Sequence, residues 1–226
     1  MDPEKQPYLC CKQLSDEWFD ARATRVSASR VAGAVGLSPY DTPRRMWRLL
    51  TGREEEEFSD FRQKMMDQGR HDEPYICNLF CQVTGMCVLP CSMWLSRYNP
   101  RMSASPDGIV FDPWTGVQSC LEIKRPYKAL YTGVNISHYV QMQQQMHCTG
   151  LNSCYYVAWH PEDGLRIWLV LVDNAFIYDF LLDAVDEFLK YVDEDTQPPI
   201  NKTRREKCDV VRTVSIPQHS FLVYSD

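Results

Sequence analysis

The chain has 226 residues, of which 44% are hydrophobic and 12% aromatic, and carries a net charge of −6. That is ample material for a core and excludes a largely disordered polypeptide. No apolar run approaches the length of a membrane span and MDPEKQPYLCCKQ lacks a signal-peptide h-region, so a soluble intracellular protein without membrane contact is expected.

Ser15, followed by Asp16 and Glu17, starts a first helix carrying Trp18, Phe19 and Arg22. VSASRVAGAVG reads as a second helix, capped at Ser27 or Ser29 and ended by Gly36. SPYDTPRRMWRLLTG gives a third, with Thr42 as cap, Pro43 in the first turn and Gly52 beyond the end. REEEEF leads into a longer helix or helix pair, with Phe58, Phe61 and Met65, then Tyr75, Ile76, Leu79, Phe80 and Val83, as its apolar stripe. From Arg22 to Arg53 seven arginines face one acid, Asp41; from Ala175 to Asp195 seven acids face one lysine. This asymmetry predicts a local basic face that meets phosphate, the plainer alternative being a solvated helix surface.

After Gly85 the pattern turns to strands. MCVLPCSMWLS is extended, with Pro90 confining it to an edge or bulge. Ten cysteines without a secretory signal indicate reduced thiols. Cys77, Cys81, Cys87 and Cys91 have CxxxC spacings, but on a helix and a strand rather than on the turns zinc prefers. RMSASPDGIVF ends one strand and begins another, and IVFD, PWTG and VQSCLEIKR form a hairpin. NISHYVQMQQQMHCTG is helical with Gly150 as its stop, and SCYYVAWH, PEDG and LRIWLVLV form a second, buried hairpin. NAFIYDFLLDAVDEFLKYV is a closing amphipathic helix, and residues 196–226 are expected to be a mobile or surface-wrapping tail. The order predicts one α/β domain over residues 1–226, a central mixed sheet with helices on both faces.

Glu122 and Lys124 lie two apart on a strand, so they share a face with Cys120 while Leu121 and Ile123 point away. A carboxylate and an ammonium on a buried strand are costly unless something uses them. If the hairpin sets Asp107 beside Glu122, the two carboxylates and the Ile123 carbonyl offer an oxygen site for Mg2+ or Mn2+. Lys124 can then orient or deprotonate a water and offset charge on a phosphate. A turn aspartate plus a surface ion pair is the bland alternative. The weight lies in S-P-D-G at one strand start followed by E-x-K-x-P at the end of the next.

SASPDGIV and CLEIKRP together resemble the PD-(D/E)XK nuclease core, specifically the lambda-exonuclease and YqaJ-type viral recombinase family. DEWFDARATRVSASRVAGAVGLSPY is similar to that family's opening segment, QGRHDEPYICNLF to its G-x-x-x-E helix and HYVQMQQQMHCTG to its glutamine helix. The resemblance runs in order over roughly residues 15–195. It implies a restriction-endonuclease-like core with Asp107, Glu122 and Glu73 as acids at the metal, Lys124 as the catalytic lysine and Gln141 holding the water or ion pair. Asp72 competes with Glu73 for that role. Arg22 and Ser29 would grip a 5′-terminal phosphate with Ser105 assisting, and Ser27 is the alternative to Ser29. His138, one turn before Gln141, is a further ligand or base candidate, though magnesium prefers oxygen.

The implied activity is a Mg2+-dependent 5′→3′ exonuclease using one or two ions, with Mn2+ as a substitute. Its substrate would be duplex DNA with 5′-phosphorylated ends, left with 3′ single strands for viral recombination or replication. A homotrimeric ring, a single-strand annealing partner and a location in the host nucleus or cytoplasm follow from the same resemblance. Arg125 departs from the family, where cysteine is more usual, and the stretch from Lys124 to Gln141 is short. Two rivals stand beside this reading: a structure-selective endonuclease of the same superfamily, and a DNA-end-binding scaffold that no longer cuts.

Overall fold

The computed structural model describes residues 8–200 and 208–226. Its first helices begin where the side-chain caps require. α1 (Asp16–Ala23) starts as the Ser15 hydroxyl accepts a hydrogen bond from the Trp18 amide, and α3 (Pro43–Leu50) as Thr42 accepts from the Arg45 amide. α2 (Ala28–Ala34) lies between them. α4 (Asp60–Thr84) is one continuous helix in spite of Pro74 inside it, and Gly85 closes it at φ 71°, a left-handed conformation that costs glycine little.

Among the described residues, ten strands make two sheets. β1 (Tyr8–Leu9), β2 (Val26–Ser27), β4 (Met93–Leu95) and β5 (Met102–Ala104) form the smaller, in the order β1-β4-β5-β2. The larger contains β3 (Cys87–Leu89), β6 (Gly108–Phe111), β7 (Gln118–Lys124), β8 (Ser153–His160), β9 (Gly164–Leu171) and β10 (Ser220–Ser225). Its order is β10-β9-β8-β7-β6-β3. Every neighbouring pair in it is antiparallel except β7 and β8, which are parallel and joined through the crossover helix α5 (Ile136–Thr149). Helices cover both faces. Cys120, Cys154 and Tyr156 pack with residues of α2, α5 and the late helix α7 (Leu182–Asp193), which follows α6 (Asn174–Phe176) and a π-helical turn at Ile177–Leu181. Leu121, Val157 and Ile167 pack on the other side with Ile76 and Phe80 of α4.

The expected mixed sheet is therefore present, with three differences in detail. MCVLPCSMWLS is two strands in different sheets, β3 and β4, because Pro90 has no amide hydrogen to continue a ladder. Within the presumed tail, residues 220–225 pair with β9 as an edge strand; most of its residues are exposed, so its alternation is weak. The smaller sheet rests on two- and three-residue strands that carry no periodic signal. The cysteines are free thiols. Gly108 has a packing reason: a Cβ there would lie 2.5 Å from the Val88 side chain on β3.

Candidate active site

Ser105, Pro106 and Asp107 join β5 of the smaller sheet to β6 of the larger, so the site begins in the seam between the two. Antiparallel pairing sets Gly108 opposite Leu121, and the Asp107 amide donates to the Leu121 carbonyl at 2.9 Å. The aspartate side chain returns the contact: its Oδ2 accepts from the Ile123 amide at 2.6 Å. The turn aspartate is thus fastened to β7 by main chain and side chain together.

Alternation along β7 turns Glu122 toward α5, where it is only 1% exposed. Oε1 of Glu122 accepts from the Lys124 ammonium and from Gln141 Nε2 at 2.8 Å, and Oε2 accepts from Gln145 Nε2 at 2.6 Å. Burial, and then the Glu122 charge, push the Asp107 carboxyl well above the usual range, with Lys124 only partly opposing. Glu73 of α4 is raised by the same pair of causes in the same order. Burial works against charge on Lys124, yet Glu122 and Asp107 outweigh it and raise its pKa, so the side chain is an ammonium. Three carboxylates share one ammonium. That excess of hard oxygen donors fits a divalent cation of the magnesium type. As the side chains stand, no group of three His, Cys, Asp or Glu among the described residues is placed to enclose an ion, and both Glu122 oxygens face ammonium and amide donors.

Of the two adjacent acids on α4, Glu73 lines the cavity. Asp72 instead accepts from Arg125 Nε at 2.5 Å and contacts His71 Nδ1 at 2.9 Å. The arginine at the unusual position after Lys124 therefore ties the end of β7 to α4.

Arg22 forms the second part of the site. Its Nε donates to Ser27 Oγ at 3.2 Å and its Nη2 to Ser29 Oγ at 2.8 Å, and its guanidinium lies 5.1 Å from the Trp18 ring centroid. Trp18 Nε1 donates to Ser105 Oγ at 3.0 Å. Burial, and then the neighbouring Arg30 charge, lower the Arg22 pKa to about 10. Among the described residues no carboxylate is paired with it. Ser27 occupies the α2 cap position, but its hydroxyl serves Arg22 and makes no cap bond.

The remaining arginines correct the expectation of an open basic face. Arg30 pairs with Glu56 at 2.6 Å, Arg45 with Asp41 and with Glu54 at 2.9 Å, Arg48 with Glu54 at 2.7 Å and Arg53 with Asp195 at 2.7 Å. Arg25 and Arg44 donate to the carbonyls of Pro100 and Pro198. Acids inside the run (Asp41), just beyond it (Glu54, Glu56) and far along the chain (Asp195) neutralise four of the seven arginines, and among the described residues Arg22 faces hydroxyls and the Trp18 ring rather than a carboxylate.

One cavity of about 260 Å³ joins the two parts: Asp107, Glu122, Lys124, Glu73 and Gln141 line it together with Arg22, Ser27, Ser29 and Ser105. Ile123 contributes the amide that holds Asp107. His138 lies off this wall: its Nδ1 is 2.7 Å from the Tyr156 hydroxyl, and burial and then Lys124 hold its pKa well below the usual value. Gln13, Trp18 and Arg70 also line the cavity, and Gln145 stands behind it; sequence reasoning gave none of them a role. Arg70 was discoverable, being three residues before Glu73 and so on the same helix face. Gln13, which donates to the Pro106 carbonyl at 3.0 Å, left no signal at all.

The geometry can be compared with known proteins. Residues 17–152 match the family model of the YqaJ-like viral recombinase domain. No curated protein sequence gives a significant match. Among solved structures, an alkaline exonuclease (LHK-Exo) from Laribacter hongkongensis aligns at a TM-score of 0.65 with 24% identity, covering 87% of this chain and 100% of that one. The same enzyme in complex with dAMP aligns at 0.67 with 25% identity and the same coverage. A phage-related exonuclease from Haemophilus somnus 129PT aligns at 0.56 with 12% identity, covering 75% of this chain and 94% of that one. The matched segment spans more than half of the chain and contains every residue lining the cavity from Trp18 to Gln141. On that match, and with the fold of these alkaline exonucleases, the chain belongs to the YqaJ-like viral recombinase domain family.

Proposed function

We propose that this chain is a metal-dependent exonuclease that degrades duplex DNA 5′→3′ from phosphorylated ends. It would release mononucleotides and leave 3′ single strands for recombination or replication of a viral genome. The observation that carries the reading is the shared cavity, in which a guanidinium with no carboxylate partner among the described residues lines the same space as a cluster of acids and a lysine. The complex of LHK-Exo with dAMP, a mononucleotide, agrees with it.

Asp107, Glu122 and Glu73, with the Ile123 carbonyl, would hold one or two Mg2+ ions, and Mn2+ would substitute. Such ions polarise the phosphate, lower the pKa of a bound water and stabilise the leaving oxygen. The protein's own groups do the rest. Arg22 and Ser29, with Ser27 and Ser105 beside them, bind the terminal phosphate through charge-assisted hydrogen bonds. Lys124, held as an ammonium, offsets charge that grows on the scissile phosphate. Gln141 orients the Glu122 carboxylate and, being only half-buried, can also reach a water in the cavity.

The family resemblance supports a homotrimeric ring around DNA and work beside a single-strand annealing protein; the mass of the protein in solution tests the ring. The activity itself is tested with end-labelled linear duplex in Mg2+, with and without a 5′ phosphate, beside closed circular duplex. Mononucleotides released from phosphorylated 5′ ends, with the circle intact, is the expected result. Cutting of the circle would make the enzyme an endonuclease. No uptake of Mg2+ or Mn2+ in calorimetry, with no cleavage of any DNA, would leave the scaffold reading.

A further inference from the structure

Glu122 is a buried carboxylate, and a buried ion is tolerated only when its lone pairs are met. Three donors meet them. Lys124 and Gln141 both serve Oε1, while Oε2 has, among the described residues, Gln145 at 2.6 Å. Gln141 and Gln145 are one helical turn apart, so α5 presents an amide to each oxygen.

The two amides differ in freedom. Gln141 lines the open cavity. Gln145 is fully buried, the Cys154 thiol lies 4.0 Å from its side-chain carbonyl oxygen, and the Thr149 hydroxyl donates to its main-chain carbonyl at 2.8 Å. A carbonyl oxygen cannot face a carboxylate, so the amide has one orientation and is purely a donor there. It is also neutral. A lysine in its place would make the same bond but cancel charge that a cation needs. We propose that Gln145 is a positioning residue of the metal centre: it locks the Glu122 carboxylate through Oε2 without neutralising it, which leaves Oε1 as the oxygen that can exchange Lys124 and Gln141 for a divalent ion. The inference rests on the metal-dependent reading above and assigns a role to a glutamine outside the cavity wall.

The test is Mn2+ binding to the full chain without DNA, measured by calorimetry, for the parent, Gln145→Met and Gln145→Lys. Methionine keeps the volume and removes the donor. Loss of such an outer partner weakens metal binding by about 10–100-fold. The half-saturating Mg2+ for cleavage should rise in step, while the maximal rate at saturating Mg2+ changes far less. Gln145→Lys restores a donor and should recover thermal stability, yet its charge should keep Mn2+ binding weak, which tests the need for a neutral donor. Should Gln145→Met fail to fold, Gln145→Asn, neutral but one methylene too short to reach Oε2, takes its place and should weaken Mn2+ binding likewise. Parent-like Mn2+ affinity in either variant overturns the role of Gln145 and leaves the nuclease reading standing. A parent that takes up no Mn2+ overturns both.

Discussion

The Asp107 carboxylate accepts a hydrogen bond from the Ile123 amide at 2.6 Å, so a turn residue is latched to the strand that carries Glu122 and Lys124. The latch holds the aspartate in a place where burial and the Glu122 charge disfavour its ionised form.

That conflict has a measurable sign. A carboxyl whose pKa is raised on folding does not weaken the fold below its unfolded value, near 3.8. As pH rises through the folded value, the folded state must release a proton it holds more tightly, and stability falls. Asp107→Asn removes this term. We predict that the metal-free variant melts above the parent at neutral pH, that the difference shrinks as pH falls toward 4, and that the variant cleaves no DNA. Thermal melts in chelator across pH check it; a variant that melts below the parent at every pH would contradict it.

Lys124→Ala should leave DNA binding largely intact and lower cleavage in Mg2+ by about 10²–10³-fold, the usual scale for one electrostatic donor at a reacting centre. Single-turnover rates with gel-shift affinities separate the two effects. Retained turnover would remove Lys124 from the chemistry.

Arg22→Ala removes the cation that faces Ser27 and Ser29. Hydrogen bonds to charged groups contribute about 1.5–3 kcal/mol, so the preference for 5′-phosphorylated over 5′-hydroxyl ends should fall by about 10–100-fold. Competition between the two end types reads this directly. An unchanged preference would place the end-binding site elsewhere.

Arg125→Ala or Asp72→Asn cuts the tie between β7 and α4. The pair is partly exposed, so the stability cost should be modest, about 1 kcal/mol. Cleavage should suffer more than stability, because Glu73 adjoins Asp72 and loses its placement. Melting temperature and rate measured together decide this; proportionate losses would mean the pair is structural only.

Much of this was legible locally. The caps at Ser15 and Thr42 and the stops at Gly85 and Gly150 are properties of a few neighbouring residues, and the structure has the helix ends there. The β6–β7 hairpin is likewise a short-range pattern. What stayed hidden depends on distant partners. Four arginines of the basic run pair with acids, and of these only Asp41 lies inside that run. The glutamines of α5 look alike in sequence, yet Gln143 donates to the Leu171 carbonyl, Gln144 to those of Val26 and Ser103, and Gln145 to Glu122. Helical position puts Gln144 and Gln145 on the Gln141 side and turns Gln143 away, but only the packed neighbours separate Gln144 from Gln145.

Pro106 has a fixed φ and no amide hydrogen, and its carbonyl is pinned by Gln13 and by the Cys91 thiol at 3.2 Å. It is a rigid spacer between Ser105 and Asp107, whose Cα atoms stand at most about 7 Å apart. If a strand end is gripped on the serine side and cut on the aspartate side, this one proline is a gauge for the bite. Every catalytic step would then have the same length whatever the bases are. A glycine inserted beside Pro106 should lengthen the fragments, as mass analysis of the released products would reveal.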